Sequence, residues 1–400
     1  MKILQLCLRV PLPPYDGATI AMYNLAESLT LSGAEVKMLS FNTKKHFIDL
    51  STIEAELLEK YKLETVYLDA SVKISGAIKN LFRKNESYNI IRFDSDVFHH
   101  KLKSILQAES FDIIQFEGLF LSPYLQTARR YSKAKMILRA HNVEWLIWKR
   151  LAGASAHPIK KKYLSFLASR LRQYEKNMVN QFDAIVALTP EDKKLLIDEG
   201  CTIPVEIAPV GLNTLRFDDV KPLEQAQHIS VFHLGSMDWL PNIEAVNWFL
   251  KKVWPLIIAK TDCIQLYLAG KNMADEFFRI QMKNVFVEGE IKDAKKFMSD
   301  KTVMIVPLLS GGGMRVKIVE GLAAGKVIVS TSIGAEGIAC THSENILIAN
   351  TAEEFANTIL SCLNNHLLLN KISVNAQLLA RNIYDNSQIG KHVASFYNTL

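Results

Sequence analysis

The sequence predicts an α/β protein built from two doubly wound parallel-sheet domains, and three observations carry that reading. Short β-branched and apolar runs alternate along the chain with longer segments of helical period. The 400 residues exceed what one ordinary core holds, and 49% apolar with 22% charged residues is the balance of a globular protein. A Pro/Gly/Asn cluster, Pro209-Val210-Gly211-Leu212-Asn213, separates two completed alternating patterns.

The strand candidates of the first half are 3–10, 35–41, 65–68, 112–116, 135–140 and 184–188. Those of the second are 229–234, 264–269, 285–287, 303–307, 327–330 and 346–349. Most are continuous apolar runs, as expected of parallel strands covered on both faces by crossover helices. The expected organisation is a domain over 1–208, a linker over 209–219, a second domain over 220–380, and a helix over 381–400 returning to the first domain. Ligands of such sheets bind beyond the carboxyl ends of the strands, so two facing units predict a site in the cleft between them.

Composition narrows the setting. The N-terminus runs from Met1-Lys2 straight into a strand-sized apolar stretch with Pro11, Pro13 and Pro14 behind it, unlike a signal peptide. No stretch approaches the roughly 20 apolar residues that span a bilayer. A cytoplasmic protein is expected, with any membrane contact peripheral at the inner face. The five cysteines show no paired short spacing, which fits neither a disulfide framework nor a zinc site; Cys7 and Cys263 read as strand interior. The net charge of +6 lies in the first half, and residues 129–176 hold 13 basic side chains against Glu144 and Glu175. That favours anionic partners, with Trp145 and Trp148 as candidates for contact with a lipid headgroup layer. A solvated basic face is the plainer alternative, and no nucleic-acid partner is expected.

The segment richest in chemistry runs from Val306 to Gly325. A strand enters Gly311-Gly312-Gly313-Met314 and leaves as a helix carrying Arg315, Lys317 and Glu320. Backbone N–H groups and the positive helix end make such a loop a seat for a pyrophosphate. Arg315 and Lys317, read as members of the first helical turn, add two cations there, and Glu320 can accept two hydroxyl hydrogen bonds of the kind a ribose offers. The plainer reading is a glycine turn followed by a salt-bridged surface helix.

This segment resembles the donor-binding motif of the family-four glycosyltransferases (glycosyl transferases group 1). The resemblance covers nearly the whole chain, through Pro14-Tyr15-Asp16-Gly17-Ala18, Phe182 to Thr189, Pro209 to Phe217, Glu288-Gly289 and Gly334-Ala335-Glu336-Gly337-Ile338. It implies the GT-B fold of two Rossmann-like domains and a retaining, metal-independent hexosyltransferase. Sugar would pass from a UDP- or GDP-linked donor to a glycan or lipid-linked acceptor in cell-surface polysaccharide or glycolipid synthesis. The sugar nucleotide is a substrate, and no cofactor is implied. Donor binding falls to Asp16, Gly17, Gly235, Gly311, Gly312, Gly313, Met314, Arg315, Lys317 and Glu320.

His141, which follows the strand ending at Ala140, resembles a residue close to the donor sugar and is the expected catalytic side chain; a histidine that merely caps its loop is the alternative. The family motif has a glutamate where this chain has Gly312, and Gly235-Ser236-Met237-Asp238-Trp239 lacks the Arg and Lys found in many relatives. Asp94-Ser95-Asp96 has the form of a metal-binding Asp-x-Asp but stands apart from the glycine loop. The rival functions are an inactive nucleotide-sugar sensor or scaffold, an epimerase of the same fold, and an NAD-dependent dehydrogenase, which would need a Gly-x-Gly-x-x-Gly that the region 8–17 lacks.

Overall fold

The computed structural model describes residues 1–71, 87–155, 157–220, 229–363 and 365–400. It holds two compact units, Met1–Gly211 with Asn386–Leu400, and Leu212–Asp385.

The first unit is a seven-stranded sheet of β1 (Lys2–Cys7), β2 (Glu35–Thr43), β3 (Glu64–Leu68), β4 (Ile113–Glu117), β5 (Lys135–Ala140), β6 (Ala184–Ala187) and β7 (Val205–Ile207). Every pairing is parallel and the order is β3-β2-β1-β4-β5-β6-β7. The second is a six-stranded parallel sheet of β8 (Ser230–Leu234), β9 (Gln265–Ala269), β10 (Val285–Gly289), β11 (Val303–Val306), β12 (Val327–Ser330) and β13 (Leu347–Ile348), in the order β10-β9-β8-β11-β12-β13. Two doubly wound α/β domains are thus what the alternating pattern predicts.

Burial explains why the strands read as continuous apolar runs. Every residue of β6, β11 and β12 is buried, because helices cover both sheet faces. Each fully buried Val, Ile or Leu contributes about 1.5–3 kcal/mol. The structure departs from the sequence reading at β7, which has three residues and was not expected. It departs again at Cys263, which is exposed in the turn before β9 rather than inside a strand; Cys7 is buried in β1.

Two helices bear on the first unit's site. The helix Gly17–Leu31 follows β1 and is capped by Asp16, whose carboxylate accepts from the backbone N–H of Ala18 and Thr19 at 3.1 Å each. The helix Asn386–Tyr397 packs against it. Gly390 permits that approach, since a Cβ there would lie 1.8 Å from the carbonyl oxygen of Ser28.

In each sheet the strand order reverses direction at one place, between β1 and β4 in the first unit and between β8 and β11 in the second. Adjacent crossovers leave that edge toward opposite faces of the sheet, which opens a crevice beyond the carboxyl ends.

Candidate functional site

The crevice of the second unit gathers two loops. After β8 comes Gly235, and after β11 comes the loop that reaches Arg315. Gly311 (φ +113) and Gly313 (φ +81) adopt backbone conformations that strain other residues. Space is also short at Gly311, where a Cβ would lie 3.0 Å from Arg315 Nη2 and 3.2 Å from the Trp239 ring. Arg315 donates from Nη1 to the carbonyl oxygens of Gly312 and Gly313, and its guanidinium lies 5.4 Å from the centre of the Trp239 ring. Ser310 Oγ donates to Glu244 Oε2 at 2.8 Å, which ties the loop to the helix Leu240–Trp248.

Arg315 is the N-cap residue of the helix Val316–Ala323, with extended backbone, and is not in its first turn. The extended conformation folds its side chain back over the glycines and leaves it 6% exposed. Lys317 does lie in the first turn. Its Nζ donates to Asn242 Oδ1 at 2.9 Å and would stand 3.0 Å from a Cβ built on Gly235, so its ammonium arrives where the loop after β8 carries no cation of its own. Asn242 is fixed in turn by donating to the carbonyl of Ser236 at 2.8 Å. Burial, with Arg315 nearby, lowers Lys317 from 10.5 to about 7. Glu320 is pushed above the usual carboxylate range by burial, against the opposing pull of Arg216. Met314 is partly buried against the core cluster of this unit. Gly235, Gly311, Gly312, Gly313, Arg315 and Lys317 therefore converge at the crevice. Trp239 and Asn242 join them without a sequence signal beyond their place just after the glycine.

In the first unit the crevice is a cavity of about 640 Å³ whose lining includes Arg9, Arg92, Glu117, His141 and Glu144. Asp16 does not line it; its carboxylate pairs at 2.6 Å with Nη2 of Arg9, which does, while capping its helix. Gly17 opens that helix with ordinary backbone angles, and a Cβ there would meet nothing within 4 Å. His141 Nε2 lies 2.6 Å from Oε2 of Glu117, a fully buried carboxylate at the carboxyl end of β4. Sequence reasoning missed Glu117, although a Glu-Gly pair closing an apolar strand signals it. Glu144 is raised to about 8 by burial and by Glu175, whose carboxylate accepts from the backbone N–H of Glu144 and Trp145.

The basic segment is less uniform than its composition implies. Arg139 is fully buried, Arg129 pairs with Asp183 at 3.2 Å, and Arg172 makes two bonds to Glu199 at 2.7 and 2.8 Å. Trp145, expected at the surface, is 7% exposed, with Lys149 and Arg172 beside its ring, and Trp148 packs partly buried against the core. The exposed apolar residues are Leu151, Ile159, Tyr163 and Phe166. Asp94 accepts from or pairs with His99 Nε2 at 2.9 Å, and Asp96 opens the helix Asp96–Ala108. Among the described residues no group of three or more His, Cys, Asp or Glu side chains is placed to hold a metal ion, and no helix is long and apolar enough to cross a membrane.

Two parallel sheets, each with its crevice at the strand-order reversal, are the two Rossmann-like domains of the GT-B class. Known proteins agree. The family described as Glycosyltransferase Family 4 matches residues 15–216, and that described as Glycosyl transferases group 1 matches residues 228–365. The chain belongs to glycosyltransferase family 4. It is 23% identical over 399 residues to an uncharacterized 44.6 kDa protein in the cps region of Klebsiella pneumoniae, covering 97% of each. Among solved structures it superposes on sucrose-phosphate synthase from Thermosynechococcus elongatus (TM-score 0.70, 17% identity, 100% of this chain and 99% of that one). It also superposes on Anabaena HepE in complex with UDP-glucose (TM-score 0.67, 15% identity, 100% of both chains).

Proposed function

We propose that this glycosyltransferase moves a hexose, with retention and without a metal, from a UDP- or GDP-linked donor to an acceptor hydroxyl. The observation that carries the reading is the convergence of Lys317, Arg315 and Gly235 at the reversal point of the second sheet. Arg315, and Lys317 once it is protonated beside the diphosphate, meet the charge that a metal ion meets in other folds. The UDP-glucose complex of HepE supports a nucleotide-sugar ligand, and the cps setting of the Klebsiella relative supports cell-surface polysaccharide or glycolipid synthesis.

In the proposed step the bond from the anomeric carbon to the phosphate oxygen breaks while the acceptor oxygen attacks from the same face. The acceptor's proton passes to the departing phosphate oxygen. His141 holds a sugar hydroxyl, and the diphosphate stays on Arg315, Lys317 and the glycine loop; Glu320 takes the ribose. The acceptor is a glycan or lipid-linked, and the protein works at an anionic cytoplasmic membrane face through Leu151, Ile159, Tyr163 and Phe166 with the lysines beside them.

The test is release of nucleoside diphosphate from a panel of UDP- and GDP-sugars in excess EDTA, with chromatography of the sugar product. Retained configuration in the product supports the proposal, and inversion refutes retention. Tight binding without turnover on any donor or acceptor would favour an inactive nucleotide-sugar sensor, the reading suggested by Gly312 standing where relatives have glutamate.

A further inference from the structure

His141 stands on a buried hydrogen-bond network. Glu117 Oε1 accepts from Gln5 Nε2 at 2.7 Å and also from Gln115 Nε2, while Oε2 faces His141 Nε2 at 2.6 Å. Gln5 can be oriented only one way, because its amide also donates to the carbonyl oxygen of Met22 at 3.0 Å. Gln115 Oε1 in turn accepts from the hydroxyl of Tyr397, at 2.5 Å, on the helix Asn386–Tyr397. Gln5, Gln115, Glu117 and Arg139 are all within 1% of complete burial, and Arg139 Nε lies 3.7 Å from Glu117 Oε2, so the buried carboxylate has a buried counter-charge.

A carboxylate only accepts hydrogen bonds, and a neutral imidazole carries one hydrogen. The hydrogen of neutral His141 therefore sits on Nε2, toward Glu117, and Nδ1 keeps a lone pair. Since Nε2 is occupied, Nδ1 is the ring nitrogen left to a ligand in the cavity that His141 lines.

We infer that Glu117 is a positioning residue, set by Gln5, Gln115 and Tyr397, that fixes His141 as a hydrogen-bond acceptor for a substrate hydroxyl at Nδ1. The tautomer follows from the network alone; only the identity of the hydroxyl rests on the glycosyl-transfer reading. The arrangement also predicts what Glu117→Gln does. Two amides keep donating toward the Oε1 position, so the new oxygen takes that place and the new NH₂ turns to His141. The imidazole must then accept at Nε2 and carry its hydrogen on Nδ1, presenting a donor where a hydroxyl needs an acceptor.

The experiment is two-bond ¹H–¹⁵N NMR of ¹⁵N-histidine-labelled protein at pH 8, with His141 assigned by its loss in His141→Asn. The expected wild-type spectrum places the unprotonated, pyridine-type nitrogen at Nδ1, and Glu117→Gln moves it to Nε2. Steady-state donor hydrolysis is read alongside, where Glu117→Gln lowers kcat roughly 10- to 100-fold with KM within about threefold. A pyridine-type Nε2 in the wild type overturns the inference with no variant needed. An unchanged tautomer in a folded Glu117→Gln overturns it as well. A tautomer switch with unaltered kcat removes the hydroxyl-accepting role, whereas absence of turnover in the wild type with the predicted tautomers sinks the transfer reading and leaves the network standing.

Discussion

Lys317 makes the proposed donor site measurable through protons. Burial and the Arg315 charge hold it at about 7 instead of 10.5, so at pH 8 most of the unliganded chain has a neutral Lys317. A diphosphate beside Nζ favours the charged form and raises that value, so binding above pH 7 takes up a proton. The affinity then falls as pH rises, by up to about tenfold per pH unit, until the value of the bound state is reached. Recovering one to two pH units is worth about 1.4–2.7 kcal/mol, or roughly 10- to 100-fold in affinity. The assay is calorimetric titration with UDP at pH 8 in HEPES and in Tris, whose different ionisation heats report protons exchanged. The wild type should take up a large fraction of one proton per site. Lys317→Met should take up almost none, bind roughly 10- to 100-fold more weakly at pH 7, and lose the pH slope. Equal heats in both buffers for the wild type, or unchanged uptake in Lys317→Met, would refute the reasoning.

Arg315→Ala frees the carbonyls of Gly312 and Gly313 and removes a cation; UDP binding should weaken several-fold to a few hundred-fold, about 1–3 kcal/mol, with the melting temperature little changed. Gly235→Ala sets a Cβ 2.8 Å from Asn242 Nδ2 and 3.0 Å from Lys317 Nζ, so titration should show weaker nucleotide binding with the fold retained by circular dichroism. Turnover should survive excess EDTA; abolition by chelator with rescue by manganese would contradict the metal-free mechanism. Sedimentation with anionic vesicles should carry the protein down at low salt and release it at high salt, and Ile159→Glu should weaken it, since each basic residue near the surface contributes about 1 kcal/mol within a Debye length.

Much of this is legible in the sequence, for physical reasons. Parallel strands are buried on both faces, so β6, β11 and β12 announce themselves as apolar runs, whereas three-residue β7 carries too little pattern to register. Glycines with positive φ mark the loop before Val316, because few other residues tolerate Gly311's backbone. Contacts across sequence are not legible in the same way. Lys317 meets the loop after β8 only because β8 and β11 are neighbours, and Glu117 reaches His141 only because β4 pairs with β5 in the register Glu117 to Arg139. Burial of Trp145 under Arg172 depends on packing between two helices that composition does not disclose.

The central claim is that the glycine loop with Arg315 and Lys317 seats a nucleoside diphosphate. Thermal unfolding of the wild type and of the Arg315→Ala/Lys317→Met double variant, each with UDP, GDP or ADP, tests it most directly. The account predicts that one nucleotide stabilises the wild type by about 2.7 kcal/mol at 100 times its dissociation constant, and that the folded double variant gains almost nothing at the same concentration. Equal stabilisation of both proteins would place the nucleotide elsewhere, and no stabilisation of the wild type by any of the three would contradict the claim.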